Sequence, residues 1–128
     1  MQIRNDLKVL IADDEPSILM SLEFLFKKEG YSVLIARDGQ EAIELFDSQH
    51  PSIMVLDIMM PKIDGYKVCT HAKTNYLVHK PKVIFLSAKN KETEIEHGYE
   101  LGADLYVPKP FSTRDLIKKV NLMATDLL

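Results

Sequence analysis

Only one cysteine, Cys69, occurs in the 128 residues, so no internal disulfide can form and the chain suits a reducing compartment. Excess positive charge is missing too. The formal net charge is -3, from 16 Lys and Arg against 19 Asp and Glu, which disfavours direct binding to a nucleic-acid backbone. No apolar run approaches the ~20 residues a membrane span needs. The segment Met1 to Asp6 is polar and the apolar stretch after it is short, so no signal peptide is read there. Repeats, linkers and low-complexity stretches are absent. The histidines His50, His71, His79 and His97 form no i, i+4 pair of the kind that binds a metal, and all four are expected on the solvated surface. Cys69 has no activating neighbour in the sequence and reads as core packing. What remains is one soluble cytoplasmic domain of ordinary globular composition, 46% hydrophobic and 27% charged.

Five short runs rich in Val and Ile read as strands: Lys8 to Ala12, Ser32 to Ala36, Ser52 to Leu56, Lys82 to Leu86 and Leu105 to Val107. Their near-continuous apolar character is that of strands covered on both faces. Segments of helical spacing lie between them. Ile18, Leu22, Leu25 and Phe26 form a stripe opened by Pro16 and closed by Gly30. Ala42, Ile43 and Phe46 follow the Asp38-Gly39 turn. Lys67 to Tyr76 carries a modest stripe, and Lys91 to Leu101 has Gly98 in mid-helix, which costs about 1 kcal/mol relative to Ala. Leu116, Ile117, Val120, Ala124 and Leu127 form the last stripe, with Ser112 as N-cap and Asp115 three residues on. Regular alternation of strand and helix predicts an α/β fold with right-handed crossovers: a five-stranded parallel sheet of order 2-1-3-4-5 with helices on both faces.

In that order the first and third strands are neighbours at the switch point, where such sheets bind ligands beyond their C-terminal ends. Asp13 and Asp14 follow the first strand, Asp57 the third, Ser87 the fourth, and Lys109 lies just past the fifth. Three carboxylates together raise one another's pKa unless a cation compensates. Against the single charge of Lys109 they leave about two negative charges, which a divalent ion neutralises. Oxygen-only ligands select a hard cation, Mg2+ first. A carboxylate in such a site can attack phosphorus and form an aspartyl phosphate, with the metal and Lys109 sharing the charge of the phosphoryl oxygens. Asp57 stands singly and is the nucleophile candidate; Asp13 and Asp14 are left for the metal. Ser87 can donate a hydrogen bond to a phosphoryl oxygen.

The motifs D-D-E-P from Asp13 to Pro16, D-I-M-M-P-x-x-D-G from Asp57 to Gly65, S-A at Ser87 and Ala88, and G-A-D-x-Y-x-x-K-P-F from Gly102 to Phe111 occur in that order. Together they resemble the receiver domain of two-component response regulators, over nearly the whole chain. The resemblance implies a single domain over residues 1–128, its core spanning about residues 7–124. It implies Asp57 as phosphoacceptor, Asp14 as a metal ligand, Asp13 acting partly through water, and the Met59 backbone carbonyl as a further metal contact. Lys109 would bind the phosphoryl group, Ser87 would be the switch hydroxyl and Tyr106 the switch aromatic, and the Lys109-Pro110 bond is expected to be cis. The donor would be a sensor histidine kinase or a phosphotransfer protein, and the domain would catalyse only its own phosphorylation and dephosphorylation.

Phosphorylation would draw Ser87 toward Asp57 and let Tyr106 rotate inward. The surface of the fourth helix, fifth strand and fifth helix would then change for an unknown output partner. A helix weakened by Gly98 suits a bistable element. Where one subgroup of such domains pairs charges on that surface, Ile95 and Leu105 stand here, leaving two apolar side chains for another partner. Lys89 and Met59 border the site and are expected to tune access of water. Arg114, Lys118 and Lys119 read as a solvated helix surface.

The alternative function is a Mg2+-dependent phosphohydrolase with an aspartyl nucleophile; the adjacency of Asp13 and Asp14, in place of a D-x-D pattern, disfavours it. A nucleotide or flavin carrier would need a phosphate loop where Asp-Asp-Glu-Pro stands. The apolar stripe reaching Leu127 and Leu128 leaves two expectations open, the N-terminal piece of a longer protein or a free-standing regulator.

Overall fold

A computed structural model describes residues 7–127. Its elements alternate without exception: β1 (Lys8–Ala12), α1 (Pro16–Lys28), β2 (Ser32–Ala36), α2 (Gly39–Gln49), β3 (Ile53–Asp57), α3 (Gly65–Thr74), β4 (Lys82–Ser87), α4 (Glu92–Glu100), β5 (Leu105–Pro108) and α5 (Thr113–Thr125). The strands form one parallel sheet of order β2-β1-β3-β4-β5, as the alternation predicts.

Each strand feeds two cores, because successive side chains point to opposite faces. Leu10, Met54, Leu56, Val83, Phe85 and Tyr106 pack on one face against Phe46 of α2 and Val68, Cys69 and Ala72 of α3. Val9, Ile11, Val55, Ile84, Leu86 and Val107 pack on the other, against Leu22 and Phe26 of α1 and Leu116 and Val120 of α5. Burial on both faces is why the runs show no polar alternation. Among the described residues, no helix is long and apolar enough to cross a membrane.

Local chemistry sets the helix starts. Pro16 opens α1. Asp38 accepts a hydrogen bond from the Glu41 N–H at 2.8 Å, and Asp64 one from the Lys67 N–H at 2.9 Å. The Ser112 hydroxyl accepts from the Asp115 N–H at 3.2 Å, in the capping role expected of it. Several ends differ from the spacing by one or two residues: β3 starts at Ile53, β4 runs to Ser87 and β5 to Pro108. α3 stops at Thr74 rather than Tyr76, because the Asn75 side chain turns back to the His71 carbonyl. β3 takes in Asp57 itself, through its pairing with Leu86.

The histidine expectation needs one correction. His50, His79 and His97 are exposed, but His71 is half-buried, its Nε2 2.7 Å from the Asp47 carboxylate and its ring edge-on to Phe46. Cys69 is fully buried, as core packing requires, and burial pushes its thiol up to about 11.

Candidate functional site

The parallel register brings the acids together. Ala12 pairs with Leu56, so the residues one step further along, Asp13 and Asp57, lie side by side at the C-terminal edge. Ser87 pairs with Pro108, which places Lys109 one step past Ser87 at the same edge. Carboxylate oxygens of Asp13, Asp14 and Asp57 all lie within 4.8 Å of one another. Asp13 and Asp57 are buried while Asp14 is exposed, so the cluster opens outward on the Asp14 side.

Lys109 reaches into this cluster. Its Nζ donates to Asp13 Oδ2 at 3.0 Å, lies 3.6 Å from Asp57 Oδ2 and donates to Glu15 Oε1 at 3.3 Å. The Lys109-Pro110 peptide bond is cis, as expected. Burial works against the Lys109 ammonium, but the Asp13 hydrogen bond and the Asp57 charge outweigh it and hold its pKa above the usual lysine value. For Asp57 the balance falls the other way. Burial first, then the neighbouring charge of Asp13, push its carboxyl up to about 6 against the pull of Lys109. The remaining acceptor of Asp13, Oδ1, takes the Glu15 N–H at 2.9 Å and so fixes the loop that opens α1.

The loop after Asp57 is held from below. Gly65 donates its N–H to the Ile58 carbonyl at 2.8 Å, and a Cβ on Gly65 would stand 2.3 Å from the Asp57 carbonyl oxygen. Only glycine lets α3 begin so close to the acid. Met59 donates its backbone N–H to Asp57, and its side chain is exposed. With Asp14, Asp64, Tyr66 and Lys89 it lines an open recess of ≈ 420 Å³ beside the carboxylates.

Ser87 and Tyr106 lie on the sheet face that carries α4. Ser87 is fully buried and its Oγ accepts the Lys89 N–H at 3.0 Å. Tyr106 was expected to rotate inward on phosphorylation; here its ring is already buried, with the hydroxyl donating to the Lys89 carbonyl at 2.7 Å next to Ser87. Space for the ring comes from α4. A Cβ on Gly98 would meet Tyr106 Cδ2 at 2.9 Å and Phe85 Cδ2 at 3.2 Å. Gly98 therefore has a packing reason that spacing alone could not show. The Tyr99 hydroxyl accepts the Tyr106 N–H at 3.1 Å, a contact equally invisible in the sequence. Ile95 and Leu105 are less available than expected: both are half-buried against the cores, and the exposed apolar side chains of this region are Tyr99 and Leu122.

The oxygen-only donor set fits a hard divalent cation. Two carboxylates buried together with one ammonium leave unbalanced negative charge, and Asp14 supplies a third carboxylate on the exposed side.

A doubly wound parallel sheet with acids and an ammonium at its C-terminal switch point defines an α/β domain with a charged ligand site at that edge. Comparison with known proteins narrows the class. The family model for the response regulator receiver domain matches residues 9–121. The chain belongs to that family, a family of signalling domains. The Francisella response regulator 1452 receiver domain is 33% identical, covers 95% of this chain and 99% of its own, and superposes with a TM-score of 0.87. A CheY-like receiver domain protein from Methanospirillum hungatei JF-1 is 27% identical over 94% of both chains, with a TM-score of 0.86. The structure of a CheX-CheY-BeF3-Mg2+ complex from Borrelia burgdorferi matches at 29% identity, covering 89% of this chain and 86% of that one, with a TM-score of 0.81.

Proposed function

We propose that this domain accepts a phosphoryl group on Asp57 from a phosphohistidine of a sensor kinase or a phosphotransfer protein, with Mg2+ as cofactor. The observation that carries the reading is the convergence of Asp13, Asp14 and Asp57 within 4.8 Å, with the Lys109 ammonium 3.6 Å from Asp57. The complex of a receiver relative with BeF3 and Mg2+ supports it.

Asp13, Asp14, Asp57 and the Met59 carbonyl would hold the ion, which when bound supplies positive charge to the phosphoryl oxygens. The chain's own groups do the rest. An Asp57 Oδ attacks phosphorus and forms the new O–P bond as the donor's N–P bond breaks. The electron pair of that bond returns to the imidazole nitrogen. Lys109 stays protonated, as its raised pKa favours, and pairs with a phosphoryl oxygen. Ser87 donates its hydroxyl to another, giving up its place beside Tyr106.

The readout follows from the same geometry. Ser87 and the Lys89 backbone meet the Tyr106 ring, which bears on Gly98 of α4, and a phosphoryl group on Asp57 that takes the Ser87 hydroxyl would connect the acid to them. The inward ring is the arrangement that phosphorylation stabilises, by selecting it from the unmodified ensemble. The surface of α4, β5 and α5 would then present itself to an output partner, while Lys89 and Met59 govern the approach of water to the acyl phosphate. In this reading the domain turns over no substrate besides its own phosphate and works in the cytoplasm.

Incubation with acetyl phosphate and Mg2+ should give a hydroxylamine-labile adduct by intact mass on the wild type. None should form on Asp57→Asn or in EDTA. An adduct of equal yield on Asp57→Asn would overturn the assignment, and sustained turnover of an unrelated phosphoester would favour the hydrolase.

A further inference from the structure

At the pole of the sheet opposite Asp57, the turn after α3 carries three consecutive large side chains, Tyr76, Leu77 and Val78. Leu77 is 74% exposed and Val78 78%. Single apolar residues on a surface are ordinary, but a contiguous tip of this kind marks an interaction surface. It does not stand over a flat face. The tip lines a cavity of ≈ 160 Å³ whose other walls include Phe46, His50 and Pro51. That space takes one bulky apolar side chain.

The segment that carries the tip is charged with one sign. From Thr74 to Lys82 it contains Lys80, Lys82 and His79 and no aspartate or glutamate, although the net charge of the chain is -3. Lys80 Nζ lies 5.9 Å from the centroid of the Tyr76 ring. His50 and His79 line the cavity itself, and the Lys82 N–H bonds to the carbonyl of Ser52, another lining residue. Acids on the flanking elements are already held, Asp47 by His71 at 2.7 Å and Asp104 by Lys73 at 2.8 Å. A second copy of the chain docked on this pole would bring two cationic rims together. A bilayer would cover the tip and leave the cavity unfilled.

We propose that this pole docks an acidic segment of a partner protein. One bulky apolar side chain of the segment enters the cavity over Phe46, and carboxylates flanking it face Lys80, His79 and His50. The site lies at the other end of the strands from Asp57, so its occupancy is independent of phosphorylation and does not rest on the phosphoryl reading. It would act as a constitutive tether, while the other end of the domain switches.

The test is a titration of the whole 15N-labelled chain with a pool of short peptides holding a central Leu, Phe or Met flanked by Glu and Asp. Two control pools carry Lys flanks or a central Ser. Saturable amide shifts are expected at Ser52 and from Leu77 to Lys80 with the acidic apolar pool and with neither control. Leu77→Ser/Val78→Ser and Lys80→Glu should each bind about tenfold more weakly, with spectra elsewhere unchanged, and Asp57→Asn should bind as the wild type does. Absence of shifts would overturn the proposal, as would equal binding of the Lys-flanked pool or undiminished binding by Lys80→Glu. Vesicles of phosphatidylcholine and phosphatidylserine that shift these amides where the peptides do not would assign the pole to a lipid surface instead. Loss of acetyl-phosphate labelling would sink the phosphoryl reading alone and leave this result standing.

Discussion

Replacing Asp57 by asparagine should make the metal-free domain more stable. Asp57 has only 7% of its side chain exposed, and burial together with Asp13 raises its pKa from 3.8 to about 6. For a carboxyl whose folded pKa is raised, the folded state holds the proton more tightly than the unfolded one. Its contribution is fully present below about pH 4 and is lost as pH climbs to about 6 or 7. At about 1.4 kcal/mol per pKa unit, the ionised side chain costs the apo fold about 3 kcal/mol at neutral pH. Asparagine keeps an acceptor for the Met59 N–H and offers its amide hydrogens to the Asp13 and Asp14 carboxylates. Because that geometry is not ideal, we expect Asp57→Asn to gain about 2 kcal/mol of the available 3. The assay is urea denaturation in EDTA at intervals from pH 4.5 to 8. The two curves should lie close at the acid end, diverge as pH rises and run parallel above about pH 7. Saturating Mg2+ should then raise the wild type more than the variant, since binding to the native state adds RT ln(1 + [L]/Kd). If Asp57→Asn is no more stable at pH 7.5 in EDTA, or if its advantage does not change with pH, the charge argument is refuted.

Three further outcomes follow from single contacts. Lys109→Gln removes the cation from a cluster in which Asp13 is fully buried, so apo stability should fall by about 1–3 kcal/mol and acetyl-phosphate labelling should slow; unchanged urea midpoints would contradict the pairing at 3.0 Å. Gly98→Ala gains about 1 kcal/mol of helix propensity, yet its Cβ meets Tyr106 at 2.9 Å, so a net loss of about 1–2 kcal/mol is expected by thermal melt, and stabilisation would show that α4 is not seated on the ring. Cys69, buried with its thiol raised to about 11, should react with iodoacetamide at pH 8 only as fast as the domain opens, a rate that added urea should increase; prompt labelling of the native fold would refute its burial.

The fold and the acids were legible in the sequence for one reason: each strand is a continuous apolar run that stops at a polar residue. That pattern by itself places Asp13 and Asp57 at the edge of the sheet. It carries no information about contacts across the sheet. Gly98 reads as a weakness in a helix until the Tyr106 and Phe85 rings are seen against it. The inward position of Tyr106 rests on the tertiary seat made by Gly98, the Lys89 carbonyl and the Tyr99 hydroxyl, which spacing along the chain does not show. His71 looked free because its partner, Asp47, lies on a different helix. Ile95 and Leu105 looked available because a short stripe does not tell which of its side chains the neighbouring core will absorb.

Strand parity divides the labour at the site. Val55 and Asp57 share a face with α1 and α5, whereas Phe85, Ser87 and Tyr106 share the face with α4. The pairing of Asp57 with Leu86 rather than with Ser87 is what keeps the two sets apart. Slipping β4 by one residue against β3 would turn Ser87 toward α5 and put Leu86 under α4. Ser87 would then leave the face that it shares with the Tyr106 ring. Both cores forbid that slip, since it would exchange Ile84 and Leu86 with Val83 and Phe85 along the whole strand. The apolar residues of β4 thus fix the register that sets Ser87 on the α4 face while its neighbour Leu86 pairs with Asp57.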